Sequence, residues 1–584
     1  MARAADFTDL LLRRGAELAD REAYRLTGDG DDVMVTYGLL DRTAKGIASR
    51  LQDHRPAGRP VVLCHGDNGG FLPAFLGCLY AGAIPVPAPA PTGTRQSAER
   101  LVGILKDAAA ALVLTDTQHA PAVSQLLAAA GHAHIPCLAT DRALLGDPDA
   151  WERPAVRPDQ PVLLQYTSGS VSQPKGVVVS HAQLLADQAA IQRALGTGEE
   201  SRFGGWLPFH HDMGLIGQLL HPLFLGASTV LMPPRAFALR PLRWLRMIDR
   251  YGVTVSGAPD FAYRLCVERV TEQQAAELDL SRWEVAVSGA EPVRADTLDA
   301  FAARFAPAGL RPQALRPGYG LAEATLLVAV GGPSPRPPRR TVDAAALGAG
   351  RIEPAAPGRP SRTFVPVGPV IDEVEALIVD PETLRPLPAG EVGEIWLRGS
   401  SVAGGYWNRP LESAEVFGAV PAGAGPEEGG YLRTGDMGFL DDGELFVAGR
   451  LKEVLVVAGR NLYPQDIEQQ VQKLSVLFGS GAAFAVGEEQ DQVVVVQEVR
   501  TSARGGGEDV PALADTVRSC VAEEFGIAVQ HVLLVRPGTV RRTTSGKLRR
   551  TAMRQLFLSG RIKPLHAVDF VRATAGGPPD RTRR

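Results

Sequence analysis

Short apolar runs with β propensity alternate with helical patterns from residue 60 to residue 303. Such runs occur at residues 60–65 and 111–115, and again at 253–256 and 283–288, with amphipathic segments between them. A strand that pairs in parallel with an earlier one needs a crossover connection, which is usually a helix. The alternation therefore predicts an α/β fold, with a parallel sheet covered by helices on both faces.

At 584 residues the chain is longer than one hydrophobic core usually supports, so several domains are expected. From residue 374 onwards short strands and turn signals dominate, and β-α-β signals resume after residue 453. The formal net charge of -4 argues against a general nucleic-acid-binding protein.

Five cysteines are scattered along the chain without metal-ligand spacing, which predicts buried thiols in a reducing compartment. The N-terminus lacks an uninterrupted apolar run, and no later segment reaches the roughly 18 apolar residues of a membrane span. We therefore expect a cytoplasmic protein without transmembrane segments.

Residues 163–176, LLQYTSGSVSQPKG, have the composition of a phosphate-binding loop. Hydroxyls and unobstructed backbone N–H groups can converge on an anion, and a lysine adds positive charge. The candidate ligands are Thr167, Ser168, Gly169, Ser170 and Lys175. Three valines follow, which predicts a hairpin tip and not the strand-to-helix turn of a Walker loop. The alternative is a Ser/Gly-rich surface turn with an incidental lysine.

Three further motifs come after, or close to, predicted strands, where α/β sheets place their ligands. They are Ser288-Gly289-Ala290-Glu291, Tyr319-Gly320-Leu321-Ala322-Glu323 and Arg433-Thr434-Gly435-Asp436. An aromatic ring can stack on adenine, a carboxylate can hold Mg²⁺ beside phosphates, and an aspartate suits paired ribose hydroxyls. Each motif alone is equally consistent with an ordinary turn.

Taken in order with residues 449–453, GRLKE, and 544–547, TSGK, these motifs resemble the adenylate-forming superfamily of acyl-CoA ligases, nonribosomal adenylation domains and luciferases. Residues 206–217, WLPFHHDMGLIG, are similar to a motif of its fatty acyl-AMP ligase branch, and residues 319–326 and 459–468 match that branch too. The resemblance covers nearly the whole chain.

The resemblance implies a large N-terminal adenylation domain, residues 1–451, and a small mobile α+β C-terminal domain, residues 452–584, which we call the lid. Lys452 would be the hinge. The N-terminal domain would contain a small β subdomain at about 370–450 and an insertion at about 331–369, which we expect to be loop-rich or partly mobile. The branch carries an insertion there that disfavours CoA, but this chain lacks the Cys or Ser expected before Gly368.

The resemblance also implies a reaction and a set of roles. A fatty or related carboxylic acid would attack the α-phosphorus of ATP, giving acyl-AMP and pyrophosphate. Its site residues fall into five groups: Lys547 for the transition-state charge; Glu323 for Mg²⁺; Asp436 and Arg450 for the ribose; Tyr319, Gly320, Leu321 and Ala322 with Ser288, Gly289, Ala290 and Glu291 around adenine; and His211 beside the acyl pocket.

The acyl group would then pass to the phosphopantetheine thiol of a separate acyl carrier protein, since this chain contains no carrier motif. A basic stretch near the C-terminal end either docks an acidic helix of the carrier or is only a solvated face. It contains Arg541, Arg542, Arg549, Arg550 and Arg554. Two alternatives stay open. One is an acyl-CoA ligase that uses CoA, and the other is a catalytically silent nucleotide-binding scaffold.

Overall fold

The structure is a computed structural model that describes residues 4–28, 30–66, 68–141, 146–166, 174–335, 338–457, 460–487, 492–500, 510–543 and 546–569. It confirms the predicted fold class, a large α/β N-terminal part followed by a smaller α+β part. The predicted phosphate ligands Thr167, Ser168, Gly169 and Ser170 lie outside the described residues.

Helices and strands alternate along most of the described chain. The helices are α1 Phe7–Glu17, α2 Tyr37–Gln52, α3 Asn68–Tyr80, α4 Arg95–Ala108, α5 Ala120–Ala129, α6 His181–Leu195, α7 His221–Leu225, α8 Pro234–Leu239, α9 Leu242–Tyr251, α10 Asp260–Arg269, α11 Glu272–Ala276, α12 Ala295–Phe305, α13 Ala344–Gly348, α14 Pro410–Phe417, α15 Pro464–Lys473, α16 Val510–Phe525 and α17 Arg550–Leu558. A π-helical segment, Met213–Leu220, leads into α7.

The strands are β1 Glu22–Leu26, β2 Val33–Thr36, β3 Pro60–Leu63, β4 Ile84–Pro87, β5 Leu112–Thr115, β6 Cys137–Ala139, β7 Pro161–Tyr166, β8 Gly176–Ser180, β9 Arg202–Gly205, β10 Ser228–Leu231, β11 Val255–Pro259, β12 Val285–Gly289, β13 Leu315–Gly320, β14 Leu327–Val330, β15 Arg340–Asp343, β16 Ser361–Phe364, β17 Val374–Val379, β18 Gly393–Gly399, β19 Leu432–Asp441, β20 Glu444–Arg450, β21 Leu455–Val457, β22 Arg460–Leu462, β23 Phe478–Val486, β24 Gln492–Val499, β25 His531–Val535 and β26 His566–Asp569.

Two sheets carry the parallel pairing that the alternation predicts. The larger has the order β14-β13-β12-β11-β9-β10-β1-β2, parallel except at its two edges. The smaller, β4-β3-β5-β6, is parallel throughout. Because parallel strands end at the same edge, the segments that follow β9, β11, β12 and β13 meet along one side of the larger sheet.

The predicted hairpin around the phosphate loop is confirmed. Strands β7 and β8 pair antiparallel, with Tyr166 opposite Gly176 at the open end of the ladder. Both strands are largely buried, since apolar side chains of β7 and β8 belong to the cores under the two parallel sheets. The two strands that flank the loop are therefore held firmly in the core.

The tract from 331 to 369 is more regular than expected. Strands β15 and β16 form an antiparallel pair, and the short helix α13 follows β15 directly. Val342, Leu347 and Phe364 are buried against Phe439 and Phe446 of the next sheet, β17-β18-β19-β20. Tertiary packing of a few apolar side chains thus orders a tract whose composition alone favours loops.

The C-terminal part has its own sheet, β23-β24-β25-β26, and its own core between that sheet, α15 and α16. All five cysteines are free thiols; Cys64, Cys78 and Cys266 are buried as predicted, whereas Cys137 and Cys520 are partly exposed. Among the described residues, no helix combines the length and the apolar character that crossing a membrane requires. The cytoplasmic location stays a prediction.

Candidate active site

A deep cleft of about 1720 Å³ lies at the carboxyl edge of the larger sheet, between that sheet and the C-terminal part. Residues that follow β12 and β13 line it, as do Lys175 at the hairpin and Lys547 near the C-terminal end. Motifs separated by hundreds of residues therefore meet in one space, which is the arrangement that their separate chemistries require.

Asp436 is the centre of a polar network on one wall. This buried carboxylate accepts a hydrogen bond from the hydroxyl of Tyr319 at 2.7 Å and pairs with Nε of Arg450 at 2.7 Å. Asp436 raises the pKa of the Arg450 guanidinium, whose side chain is more than half exposed to the cleft. The structure thus brings Tyr319, Asp436 and Arg450 together. Their donors and acceptors can form hydrogen bonds with a pair of neighbouring hydroxyls.

The strand that presents Asp436 is held in place by Glu394, which the sequence did not single out. Its carboxylate accepts hydrogen bonds from the side chains of Trp396 and Arg433 and from the backbone N–H of Gly435. Since Glu394 is only 2% exposed, three donors satisfy a buried charge. The motif at 433–436 therefore has a fixed backbone.

Glu323 lies in the short turn after β13 and faces the cleft. Its carboxylate accepts a hydrogen bond from the hydroxyl of Tyr406 at 3.0 Å, while burial raises its pKa. The turn is anchored from below by the buried carboxylate of Asp187, which accepts from the backbone N–H of Leu327 at 2.9 Å. Tyr406 and Asp187 were not predicted, since each contact joins segments far apart in sequence.

The two motifs expected around adenine occupy adjacent strand ends. Gly289, Ala290 and Glu291 line the cleft, and Ala290 has a left-handed backbone (φ 63°), unusual for a residue with a Cβ. Gly320 is required sterically, because a Cβ there would lie 1.9 Å from the carbonyl oxygen of Leu326. Leu321 and Ala322 follow it and line the cleft as buried residues.

The role expected for Ser288 is wrong in this structure. Ser288 is 0% exposed and does not line the cleft, because successive side chains of a strand point to opposite faces and its neighbours Val287 and Gly289 line the cleft. Glu291 lines the cleft, but one of its carboxylate oxygens already accepts a hydrogen bond from the backbone N–H of Phe261 at 2.5 Å.

Lys175 leaves the hairpin loop with its ammonium group on the carboxylate of Glu412 and 5.1 Å above the ring of Tyr406. The loop's flanks are tied by Asp107 of α4. This carboxylate accepts from the hydroxyl of Tyr166 at 2.7 Å and pairs with Arg409, which also donates to the carbonyl of Pro174 at 3.3 Å. The described ends of the phosphate loop are therefore braced from α4 and α14.

His211 lies beside His210, with ring centroids 4.5 Å apart, just before the π-helical segment. Burial lowers the pKa of His211 well below its usual value, and the nearby His210, Lys547 and Arg100 lower it further. Burial lowers the pKa of His210 to about 3. Both imidazoles are thus neutral, and Lys547 comes close enough to His211 to influence its charge.

The C-terminal part closes the cleft through direct contacts. A Cβ at Gly546 would lie 2.5 Å from the ring of Phe261, which places the segment with Lys547 against α10. Arg264 donates to Gln472 at 3.0 Å, and Lys473 pairs with Asp296 at 2.9 Å. Lys452, the predicted hinge, is exposed at the rim.

One expectation about the basic stretch is wrong. Arg550 is neither solvated nor available for docking, since its guanidinium pairs with Glu453 at 2.5 Å and with Glu468 at 2.7 Å. Its side chain is 15% exposed. Arg554 donates to the carbonyl of Ala485 at 2.9 Å, so it too serves the local structure.

Comparison with known families decides what this arrangement is. The family model described as AMP-binding enzyme matches residues 11–407 of the chain. The chain belongs to this family of AMP-binding enzymes. A second model, the AMP domain of Disco-interacting protein 2-like proteins, matches residues 452–567.

Relatives of this AMP-binding enzyme place it more closely. It is 40% identical to a medium-chain-fatty-acid–[acyl-carrier-protein] ligase of Moorena producens, over 97% of this chain and 98% of that protein. A crystal structure of a fatty acyl-adenylate ligase from L. pneumophila, in complex with acyl adenylate and pyrophosphate, is 34% identical over 97% and 98% of the two chains, with a TM-score of 0.75.

A structure from studies of fatty acyl-adenylate ligases of E. coli and L. pneumophila matches with a TM-score of 0.85, at 31% identity over 96% of this chain and 99% of the other. The resemblance to the fatty acyl-AMP ligase branch is thereby confirmed.

Proposed function

We propose that this AMP-binding enzyme activates a fatty or related carboxylic acid with ATP to give acyl-AMP and pyrophosphate, and then transfers the acyl group to a separate acyl carrier protein. The observation that carries the proposal is the single cleft in which Asp436, Glu323, His211, Lys175 and Lys547 converge. The names of the relatives, a carrier-protein ligase and acyl-adenylate ligases, support it.

We assign the nucleoside to the wall around Asp436. Its carboxylate has lone pairs left after Tyr319 and Arg450 have donated, so ribose hydroxyls can donate to it. Adenine would lie along Gly289, Ala290 and Glu291 on one side and Tyr319, Gly320, Leu321 and Ala322 on the other. Holding the nucleoside at one end fixes the α-phosphorus relative to the other groups.

Formation of acyl-AMP needs no reactant besides the acid and ATP. A carboxylate oxygen of the acid forms a bond to the α-phosphorus, and the bond from that phosphorus to its bridging oxygen breaks, so pyrophosphate leaves with the electron pair. We assign Lys547 to the negative charge on the α-phosphate oxygens. A preorganised cation of this kind is worth about 10²- to 10³-fold in rate.

His211 would position the acid. Because its pKa is lowered, the ring is neutral and can donate one N–H to the carboxylate without forming a tight ion pair. Such an ion pair would make the oxygen a poorer nucleophile. The buried apolar side chains of the adjoining π-helical segment offer the acyl chain a surface.

The residues present fit Mg²⁺. Glu323 offers a carboxylate that accepts a hydrogen bond from the neutral hydroxyl of Tyr406, and its remaining oxygen lone pairs suit a hard cation. The described residues contain no cluster of three possible protein ligands, which suits an ion held largely by phosphates and water. Bound there, Mg²⁺ would neutralise charge on the phosphate oxygens.

Lys175 would hold the departing phosphates together with Thr167, Ser168, Gly169 and Ser170, whose role stays a prediction. We also keep the division at 451/452, with Lys452 as the hinge, as a proposal. The second family model begins at 452, which supports it.

The insertion at about 331–369 favours a carrier protein over CoA, because one of its arginines contacts the lid. Arg362 of β16 pairs with Asp466 at 2.9 Å, lies 4.8 Å over the ring of Tyr463 and donates to the carbonyl of Ala448. A lid held in one orientation disfavours the reorientation that an acyl-CoA ligase needs. The contacts of Arg362 with Asp466 and Tyr463 do not involve the position before Gly368, where the expected Cys or Ser is absent.

The test is acid-dependent release of pyrophosphate and formation of acyl-AMP across a series of chain lengths, with CoA or a phosphopantetheinylated carrier protein as acceptor. We expect acyl-AMP to persist with CoA and to be discharged by the carrier. Ready formation of acyl-CoA would favour the acyl-CoA ligase. No adenylate with any acid, in protein shown to be folded, would leave the silent scaffold.

A further inference from the structure

Helix α4 presents one face to the phosphate side of the cleft. Asp107, near its end, is bonded to Tyr166 and Arg409 at the flanks of the hairpin loop. A Cβ at Gly103 would lie 3.2 Å from the side chain of Pro174. Arg100 is seven residues before Asp107, which is two helical turns and hence the same face. Arg100 accordingly lines the cleft.

This arginine has no anionic partner. Its side chain makes no hydrogen bond or ion pair with any residue in the described part of the chain. Three carboxylates that line the cleft on this side already pair with other cations: Asp107 with Arg409, Glu412 with Lys175, and Glu99 with Arg95.

A second cation faces Arg100 from the C-terminal part. Arg549 follows Lys547 by two residues and lines the same cleft, again with no carboxylate partner among the described residues. Burial and the proximity of Arg549 both lower the pKa of Arg100. Two like charges held toward one half-buried space are unfavourable unless an anion lies between them.

We propose that Arg100 and Arg549 bind the β- and γ-phosphates of ATP, and then pyrophosphate, from opposite walls of the cleft. This inference rests on the proposed function, since it names the part of the substrate that these residues hold. A guanidinium offers paired N–H donors that match phosphate oxygens. Because Arg549 comes with the lid, the clamp is complete only with the lid against α10.

The clamp should distinguish nucleotides by their outer phosphates, since AMP lacks both groups that it holds. Replacing Arg100 with Ala should raise KM for ATP and the inhibition constant of pyrophosphate by about 10- to 100-fold, the usual effect of losing a charged hydrogen bond. The Kd for AMP should not change. Transfer of the acyl group from added acyl-AMP to the carrier protein should keep its wild-type rate.

Arg95→Ala is the matched control. Arg95 is on the same helix, its side chain is 92% exposed, and its ion pair within the described residues is with Glu99. It should behave as wild type in every assay. Arg100→Lys, which keeps the charge but loses the paired donors, should fall between wild type and Arg100→Ala. The melting temperature of each variant, measured in parallel, shows whether it is folded.

Wild-type KM for ATP and pyrophosphate inhibition in a folded Arg100→Ala variant would overturn the proposal. So would a variant that adenylates normally but transfers to the carrier with a raised KM, because the phosphate held by Arg100 would then belong to the phosphopantetheine arm. If wild type forms no adenylate with any acid, the proposed function fails. Calorimetric binding of pyrophosphate to full-length wild type and Arg100→Ala still tests the clamp.

Discussion

The two ends of the cleft are built in opposite ways. At the nucleoside end, Asp436, Arg450 and Tyr319 satisfy one another. At the phosphate end, Arg100, Lys547 and Arg549 line the cleft with no carboxylate partner in the described part of the chain.

This difference determines how each end of the cleft contributes to nucleotide binding. Where the protein supplies both signs of charge, the geometry is fixed before a ligand arrives, and the gain on binding is mainly orientation. Where cations have no carboxylate partner, as at Arg100, Lys547 and Arg549 but not at Lys175, which pairs with Glu412, an anion gains Coulomb energy and relieves repulsion among them. We therefore expect variants at the phosphate end to respond to the phosphates, and variants at the nucleoside end to respond to AMP as well.

The largest effect is expected for Lys547→Ala. Removing this cation should lower kcat for acyl-AMP formation by about 10²- to 10³-fold, because the charge developing on the α-phosphate loses its nearest lysine. AMP affinity should fall much less than kcat, because AMP carries the α-phosphate but not the charge that develops on it in the transition state. Rapid-quench measurement of acyl-AMP checks the rate. Lys563→Ala, an exposed lysine outside the cleft, should be silent. An equal loss of AMP affinity would contradict the division between the two ends.

Asp436→Asn should come next. The substitution keeps the shape but removes the charge that pairs with Arg450 and receives the Tyr319 hydroxyl. We expect the Kd for AMP and the KM for ATP to rise together by about 10- to 100-fold, since both nucleotides carry the ribose. Calorimetry with AMP measures the first.

Asp442→Asn, at the exposed turn between β19 and β20, is the control for that experiment, since its side chain is 86% exposed. If Asp436→Asn weakened ATP but left AMP binding unchanged, Asp436 would act on the phosphates. The nucleoside end would then not be the preassembled part of the site.

Much of this arrangement could be predicted from the sequence. The alternation of apolar runs and helical patterns gave the parallel sheets, and the valines after Lys175 gave the hairpin. The resemblance placed Asp436, Glu323 and Lys547 in a common site. The fold predictions succeeded because local pattern decides local structure. The three site residues line one cleft, while their roles stay predictions.

Residues that act through distant contacts could not be found that way. Arg100 is an ordinary arginine in an amphipathic helix until α4 is packed beside the hairpin. Glu394 and Tyr406 matter only through partners that strand register and loop packing bring to them. Ser288 was misjudged for another reason, since its neighbours Val287 and Gly289 line the cleft and the alternation along the strand turns Ser288 to the opposite, buried face.

The smallest effect is expected for Tyr406→Phe, and it appears in the pH dependence. Burial raises the pKa of Glu323, and the hydrogen bond from Tyr406 opposes that rise. Without the hydroxyl the pKa should rise further, by up to about one pH unit for a bond worth roughly 1 kcal/mol. A carboxylate that must be ionised to hold a cation is protonated as the pH falls through its pKa.

The acidic limb of acyl-AMP formation should therefore move to higher pH in Tyr406→Phe, while the rate well above that limb stays within a few-fold of wild type. The kcat/KM for ATP, measured as a function of pH at saturating Mg²⁺, checks this. A limb that moves to lower pH would mean that Tyr406 favours the protonated acid. Glu323 would then be a poor choice for the metal, and its contact with Tyr406 would contribute to packing and not to the charge of the site.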